Sequence, residues 1–212
     1  RGDRALSRRQ YLADVHALAA VLPDAGPMLN LSADRYRFAV GLGAAMLRSQ
    51  SNLMPPNHTP DTVARLRTLY PTTYALLDPE ATDAGLALPQ VRHPVDSVPT
   101  SAPADVPTLD ENTLCAQVLT SGSTGAPVPH AKHWGLLWRN TRAGAQRLAR
   151  QMGRETLAGV TLVATVPPQH MYGFESTVLI ALLGGAAFDR GDRSFPPTSP
   201  RHWHALRVPE CW

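Results

Sequence analysis

Residues 28–54 read MLNLSADRYRFAVGLGAAMLRSQSNLM, and the fold class is decided there. Met28 to Leu31 is a short apolar run bounded by turn residues, the mark of a buried strand. Ser32 is placed to cap a helix that runs through Phe38, Leu42 and Met46 to about Ser49. Asn52 to Met54 returns to strand, and Pro55-Pro56 ends it. On the N-terminal side, Ser7 followed three residues later by Gln10 has the form of a capping box. Tyr11, Val15, Leu18, Ala19 and Leu22 then recur at helical spacing until Pro23 to Gly26 stops them. On the C-terminal side, Thr59-Pro60 opens a helix carried by Val63, Leu66 and Leu69, and Thr73 to Leu77 is a further strand. Strand and helix alternate three times at short spacing, which predicts an α/β domain with a parallel sheet and helices on its faces.

From Asp78 to Asp110 this pattern dissolves into Pro, Asp, Ala, Ser and Thr, with one short strand expected near Val91. The segment reads as a connector over the surface. Beyond it, Leu114 to Leu119 alternates as a strand and ends in the loop Thr120 to Pro127. A helix from Lys132 to Met152 is expected next, then a strand over Val160 to Val166 and a loop to Gly173. A helix over Phe174 to Leu183, a Gly184-Gly185 turn and a strand from Ala186 to Phe188 close the pattern. The expected division is a first α/β subdomain over 1–77, a connector over 78–110, a second α/β segment over 111–195, and a tail over 196–212.

Composition narrows the function. No uninterrupted apolar run has membrane-spanning length, so no membrane span is expected. The net charge is +3 with arginines scattered along helices, and there is no basic-aromatic module, which speaks against nucleic acid as a partner. Cys115 and Cys211 are far apart in sequence and make no metal or redox spacing; a reduced, cytoplasmic protein without a structural metal is expected. His130 and His133 stand three apart without further ligands and read as surface histidines. Trp134 and Trp138, placed on one face of the expected helix, read as core.

Chemistry concentrates in Thr120-Ser121-Gly122-Ser123-Thr124-Gly125-Ala126-Pro127. Gly122 and Gly125 allow backbone conformations and close approaches that a Cβ would block. Four hydroxyls and a run of backbone N–H groups can wrap the non-bridging oxygens of a polyphosphate. A polar turn with no ligand has the same composition. The ordinary P-loop is excluded, because no Lys follows Gly125.

This run resembles the phosphate-binding signature T-S/G-G-S/T-T-G-x-P-K-G of the adenylate-forming superfamily, which includes acyl-CoA synthetases, peptide-synthetase adenylation domains and firefly-type luciferases. Thr120, Ser121, Gly122, Ser123, Thr124, Gly125 and Pro127 match in order. Further on, Val166-Pro167-Pro168-Gln169-His170-Met171-Tyr172-Gly173 resembles the family's lPxxHxxG loop, which implies that His170, Tyr172 and Gly173 line an acyl-substrate pocket. The resemblance reaches to about Phe195 and implies the N-terminal part of the adenylate-forming fold. It implies ATP and Mg²⁺ as cofactors, a carboxylic acid substrate, and coenzyme A or an acyl carrier protein as thiol acceptor.

Departures qualify the likeness. Val128-Pro129 stands where the family has Lys-Gly, and Lys132 is the candidate replacement cation. The form STGxPxPHxK is similar to a branch associated with aryl-polyene pigments, which implies an aromatic acid. The family's second nucleotide loop, ribose-binding acid, hinge and C-terminal lysine find no counterpart after Phe188, so no catalytic residue is assigned. The residues after Phe195 fit no helical or strand period and suggest a shifted reading frame. The chain by itself is therefore expected to be inactive and of marginal stability, with Val178, Leu179, Leu182 and Leu183 short of cover. The rival expectation is a non-catalytic nucleotide-binding or interaction module.

Overall fold

Met28 to Asn30 is the middle of a ladder that joins most of the first 130 residues. The computed structural model describes residues 5–82, 85–94, 106–121 and 127–190. Leu6–Leu137 forms one unit and the residues from Trp138 onward belong to a second. In the first unit the elements are α1 (Arg8–Ala19), β1 (Met28–Asn30), α2 (Arg35–Leu47), β2 (Asn52–Met54), α3 (Pro60–Leu69), β3 (Tyr74–Leu77), β4 (Gln90–Arg92), β5 (Leu114–Ser121) and β6 (Pro127–His133). They build a sheet of order β4-β3-β1-β2-β5-β6. Met28 pairs in parallel with Asn52 on one side and Tyr74 on the other. β2 to β5 and β3 to β4 are parallel too, and only β6 runs antiparallel, against β5.

Period-two alternation divides each central strand between two cores. Met28, Tyr74 and Leu76 pack with Val15, Leu18 and Val40 of α1 and α2. Leu29, Leu53, Ala75 and Leu119 pack with Val63 and Leu66 of α3. Burial on both faces explains why these strands read as continuous apolar runs. The strand expected near Val91 is β4, and β5 joins the same sheet from beyond the connector.

The caps hold with two corrections. Ser7 Oγ accepts from Gln10 N–H at 3.1 Å, while the Gln10 side chain donates along the helix to Asp14 at 2.8 Å instead of reaching back to close a capping box. Thr59 caps α3 from Thr62 N–H at 3.3 Å, with Pro60 first in the helix. The cap of α2 is Asp34, which accepts from Tyr36 and Arg37 N–H at 2.8 and 3.0 Å, and Ser32 lies two residues outside. A carboxylate can take both N–H groups and also meets the positive end of the helix dipole, which a hydroxyl does not match.

A larger correction concerns the residues after Ala126. The helix expected from Lys132 begins at Trp134, and Pro127–His133 is strand β6, paired antiparallel with β5 as far as Ser121 and Pro127. Val128, His130 and Lys132 alternate with Pro129, Ala131 and His133, a period of two. Pro127 and Pro129 lack an N–H, which an edge strand tolerates and an interior strand does not.

Helix α4 (Trp134–Gln151) begins at the end of the first unit, and its residues from Trp138 belong to the second. There Ala145, Ala149, Leu157, Ala181 and Ala186 form a small core with Leu148, Val160, Ile180 and Phe188 around it. Strand β7 (Thr161–Leu162) pairs in parallel with β8 (Ala187–Phe188). The longer strand expected to Val166 is limited to the length of this partner. A helical run over Met171 to Gly184 follows: α5 (Met171–Gly173), a π-helical stretch over Phe174–Leu179, and α6 (Ile180–Gly184). Gly185, at φ 82°, ends it with its N–H on Ala181 O at 3.1 Å, as the glycine pair implied. Contrary to expectation, Trp138 is 40% exposed, with the Arg142 guanidinium 4.9 Å from its ring centre. Val178 and Leu179, expected to lack cover, are buried. The tail over 196–212 lies outside the described residues.

Gly41 on α2 faces the sheet so closely that a Cβ would stand 2.6 Å from Asn30 Nδ2 and 2.7 Å from Leu76 Cδ2. Gly41→Ala is expected to lower stability by about 1–3 kcal/mol, through forced separation of α2 from β1 and β3. Asp34→Ala should cost about 1 kcal/mol for the lost cap. Urea unfolding of each variant measures both.

Candidate functional site

The hairpin of β5 and β6 is rooted in the sheet by polar contacts. Tyr70 O–H donates to Gln117 Oε1 at 2.6 Å, and Gln117 Nε2 donates to Ser51 Oγ at 2.9 Å. Asn52 Nδ2 donates to the carbonyl of Cys115 at 3.3 Å. These tie β5 to the end of α3 and to β2, so the paired strands stand on a base held by the sheet. The Cys115 thiol is buried, which pushes it up to about 12, and it stays protonated and unreactive.

Ala116 pairs with Lys132, Val118 with His130, and Thr120 with Val128. Directly opposed residues share a face, so Thr120, His130 and Lys132 stand on one side of the hairpin. Thr120 and His130 are exposed, with Thr120 Oγ1 and His130 Nε2 3.1 Å apart. Lys132 is half-buried on a strand, not at the helix start where the sequence suggested it. His133 falls on the opposite face, its Nδ1 2.9 Å from the Asn112 carbonyl, so it shares no ligand with His130. Ser121 backbone pairs with Pro127, while Gly122, Ser123, Thr124 and Gly125 lie outside the described residues.

His170, Tyr172 and Gly173 fall on one turn in the second unit. His170 precedes α5, its N–H on Pro167 O at 3.1 Å and its carbonyl accepting from Phe174 N–H at 2.9 Å. Tyr172 is 71% exposed. Gly173 is buried where a Cβ would lie 2.2 Å from Pro167 O and 2.8 Å from Val166 O. Only glycine lets the helix start against that loop. The π-helical stretch begins at the next residue, a departure from α geometry that is common beside functional groups.

A third polar cluster was not legible in the sequence. At the C-terminal ends of β1, β3 and β4, Ser32 Oγ lies 3.0 Å from His93 Nε2, and Asp78 Oδ2 accepts from the N–H groups of Ala33 and Asp34 at 2.9 and 3.3 Å. Arg37 pairs with Glu80 at 2.8 Å and lies 3.8 Å from Asp78. Burial, with Arg37 nearby, lowers His93 from 6.5 to about 4, against the opposing charges of Asp34 and Asp14. Burial also raises the Asp78 carboxyl, opposed by the two N–H donors and Arg37. Ser32 is wholly buried and His93 nearly so, leaving no approach for a substrate. The cluster fastens the connector to the sheet. His93 sits in an aperiodic, proline-rich stretch, and the short strand beside it was its only sequence signal.

Among the described residues, no three His, Cys, Asp or Glu side chains come together to hold a metal ion, and no helix is long and apolar enough to cross a membrane.

No family model matches the chain. An 80-residue stretch, 38% of the chain, is 38% identical to the 4-coumarate–CoA ligase of Rhodobacter capsulatus and covers 20% of that protein. A malonyl-CoA ligase, solved as a ternary product complex with methylmalonyl-CoA and AMP, matches 92% of this chain and 40% of its own at a TM-score of 0.70 and 22% identity. The O-succinylbenzoate coenzyme A synthetase of Bacillus subtilis, in complex with ATP and magnesium ion, matches 85% of this chain and 47% of its own at a TM-score of 0.60 and 12% identity. The architecture is thus that of the N-terminal part of adenylate-forming enzymes. The chain spans a fifth of the length of this curated relative and under half of these two solved chains.

Gly173→Ala is expected to cost about 1–3 kcal/mol, because the obstructing atoms are backbone carbonyls that no rotamer can move. Thermal unfolding measures it. His93 sets a pH dependence. Below pH 6.5 the unfolded chain binds a proton that the folded chain refuses until about pH 4. The stability tied to neutral His93 is complete above pH 6.5 and lost as pH falls toward 4, by about 3 kcal/mol. The raised Asp78 works in the opposite sense at the acid end. Urea titrations from pH 7 to 4 should show this fall, and His93→Gln should flatten it.

Proposed function

We propose that this chain carries the nucleotide-phosphate portion of an AMP-forming acid–thiol ligase. The observation that carries the reading is the Thr120 to Pro127 signature, whose first and last residues lie on the two paired strands of a sheet-rooted hairpin, within the fold of adenylate-forming enzymes. The hydroxyls of Thr120, Ser121, Ser123 and Thr124, with the backbone N–H groups that Gly122 and Gly125 leave accessible, hold the polyphosphate of ATP. Lys132 adds positive charge on the same hairpin. His170, Tyr172 and Gly173 line the acyl site. Tyr172 supplies an exposed aromatic surface, and the likeness to 4-coumarate–CoA ligase favours an aromatic acid. Within the superfamily, the run from Ser123 to Lys132 favours the aryl-polyene type of ligase.

In the reaction, a carboxylate oxygen attacks the α-phosphate of ATP in line, forming an acyl-adenylate as pyrophosphate leaves. A thiol, from coenzyme A or an acyl carrier protein, then takes the acyl group and releases AMP. Mg²⁺ screens the phosphate charge and travels with the nucleotide. The work of this chain is to bind and orient the phosphates. Because the chain spans under half of its solved neighbours, turnover is proposed for the protein as a whole, acting in the cytoplasm. The departure from the signature, Val128-Pro129 where the family has Lys-Gly, is the observation behind a second reading, a nucleotide-binding module without catalysis.

ATP–pyrophosphate exchange separates the two. Exchange is expected with one or more members of a panel of aromatic and aliphatic acids. Ser123→Ala should slow it by about tenfold or more, for loss of a hydrogen bond to a charged group. ATP binding with no exchange for any acid would support the module instead.

A further inference from the structure

The contact of Thr120 with His130 gives the phosphate hairpin a residue outside the Thr120 to Pro127 run. We propose that His130 is a positioning residue for polyphosphate binding: it holds the Thr120 hydroxyl so that its proton points to the ligand. This rests on the reading of the hairpin as the nucleotide-phosphate site.

The hydroxyl of Thr120 has one proton to give and two lone pairs. If His130 Nε2 carries its hydrogen, it donates to Thr120 Oγ1 across 3.1 Å and leaves the hydroxyl proton for another acceptor. A phosphate oxygen can only accept, so an anion selects this tautomer and the order N–H to O–H to phosphate. With the opposite tautomer the hydroxyl proton is spent on the ring, and Thr120 can only accept. The imidazole therefore decides whether the first hydroxyl of the hairpin attracts phosphate.

The surroundings favour the donating arrangement. The paired face offers Ala116, Val118 and Thr120 on β5, and Val128, His130 and Lys132 on β6, with no carboxylate among them. Lys132 is the next β6 residue on this face, roughly 7 Å behind His130 along the strand. Ala116, directly opposite it, is small enough to leave room for its four-carbon stem. Its positive charge keeps the face attractive to an anion. Thr120 and His130 are both exposed, so their bond competes with water and contributes little to folding. Loss of the imidazole is then read in binding rather than in stability.

The test is a double-mutant cycle on Thr120 and His130, with calorimetric binding of Mg²⁺-ATP and of inorganic pyrophosphate. His130→Ala is expected to weaken both ligands about tenfold, and Thr120→Ala by a similar factor. The double variant should bind about as weakly as either single one, because both substitutions remove the same hydrogen-bond chain. His130→Gln, which keeps an N–H donor on a side chain of similar reach, should recover most of the affinity. Unchanged affinity in His130→Ala, additive losses in the double variant, or no recovery with Gln each overturn the proposal. Should His130→Ala fail to fold, the Gln variant alone decides, near-native affinity supporting the proposal and an Ala-like loss overturning it. Wild-type protein that binds neither ligand overturns the phosphate-hairpin reading and this inference together. Binding in the wild type with no effect of His130→Ala overturns the inference alone.

Discussion

β1 is three residues long, and its neighbours on both edges and both faces are supplied by the chain around it. Met28 and Leu29 point to opposite cores, so each must be closed by helices arriving from a different side: α1 and α2 over Met28, α3 over Leu29. A central strand this short supplies few ladder hydrogen bonds, and much of its stability comes from apolar surface removed from water on two faces. That constraint sets much of the rest of the first unit. α2 must come close to the sheet, which is why Gly41 stands where a methyl group would meet Asn30 and Leu76. Asn30 must be satisfied although buried, and it donates to the Phe38 carbonyl at 3.0 Å.

The same sheet gives the hairpin its footing. β5 lies against β2 in parallel, and Tyr70, Gln117 and Ser51 lock that junction with hydrogen bonds between side chains. The proposed phosphate-binding loop needs a base that does not move when the anion arrives, since reorganisation would consume the binding energy. Here the base is a strand already held by the core. The polar cluster of Ser32, Asp78 and His93 is built differently. Ser32 and His93 bond each other out of solvent, and Asp78 holds the backbone N–H groups of Ala33 and Asp34, so the cluster's chemistry serves to tie the connector to the strand ends.

Individual residues mark how far the sequence could be read. Ser7, Thr59 and Pro60 were legible as helix starts, because a cap involves neighbours within one turn. Ser32 was read as a cap and is not one. Asp34 competes for the same N–H groups and wins on charge, while Ser32 is drawn to His93, sixty-one residues away in sequence. His93 itself gave no signal of its environment. Lys132 was placed on a helix because Trp134 onward is strongly helical and the β6 alternation before it is short. The proposed site was legible as a motif in Thr120 to Pro127, whereas the pairing of Thr120 with His130 was not.

The sequence alone determined the α/β class, the strands β1 to β3, and the helices between them, because those depend on apolar periodicity and caps that act over a few residues. It also marked the stretch from Thr120 to Pro127, since glycines and hydroxyls at close spacing carry their meaning locally. Tertiary structure alone decided that β4 and β5 flank the first three strands, that β6 folds back as an antiparallel edge, and that Thr120, His130 and Lys132 share one face. Strand order and register arise from hydrogen bonds between residues far apart in the chain. Which strand edge remains open for them depends on how the two faces of the sheet have already been covered.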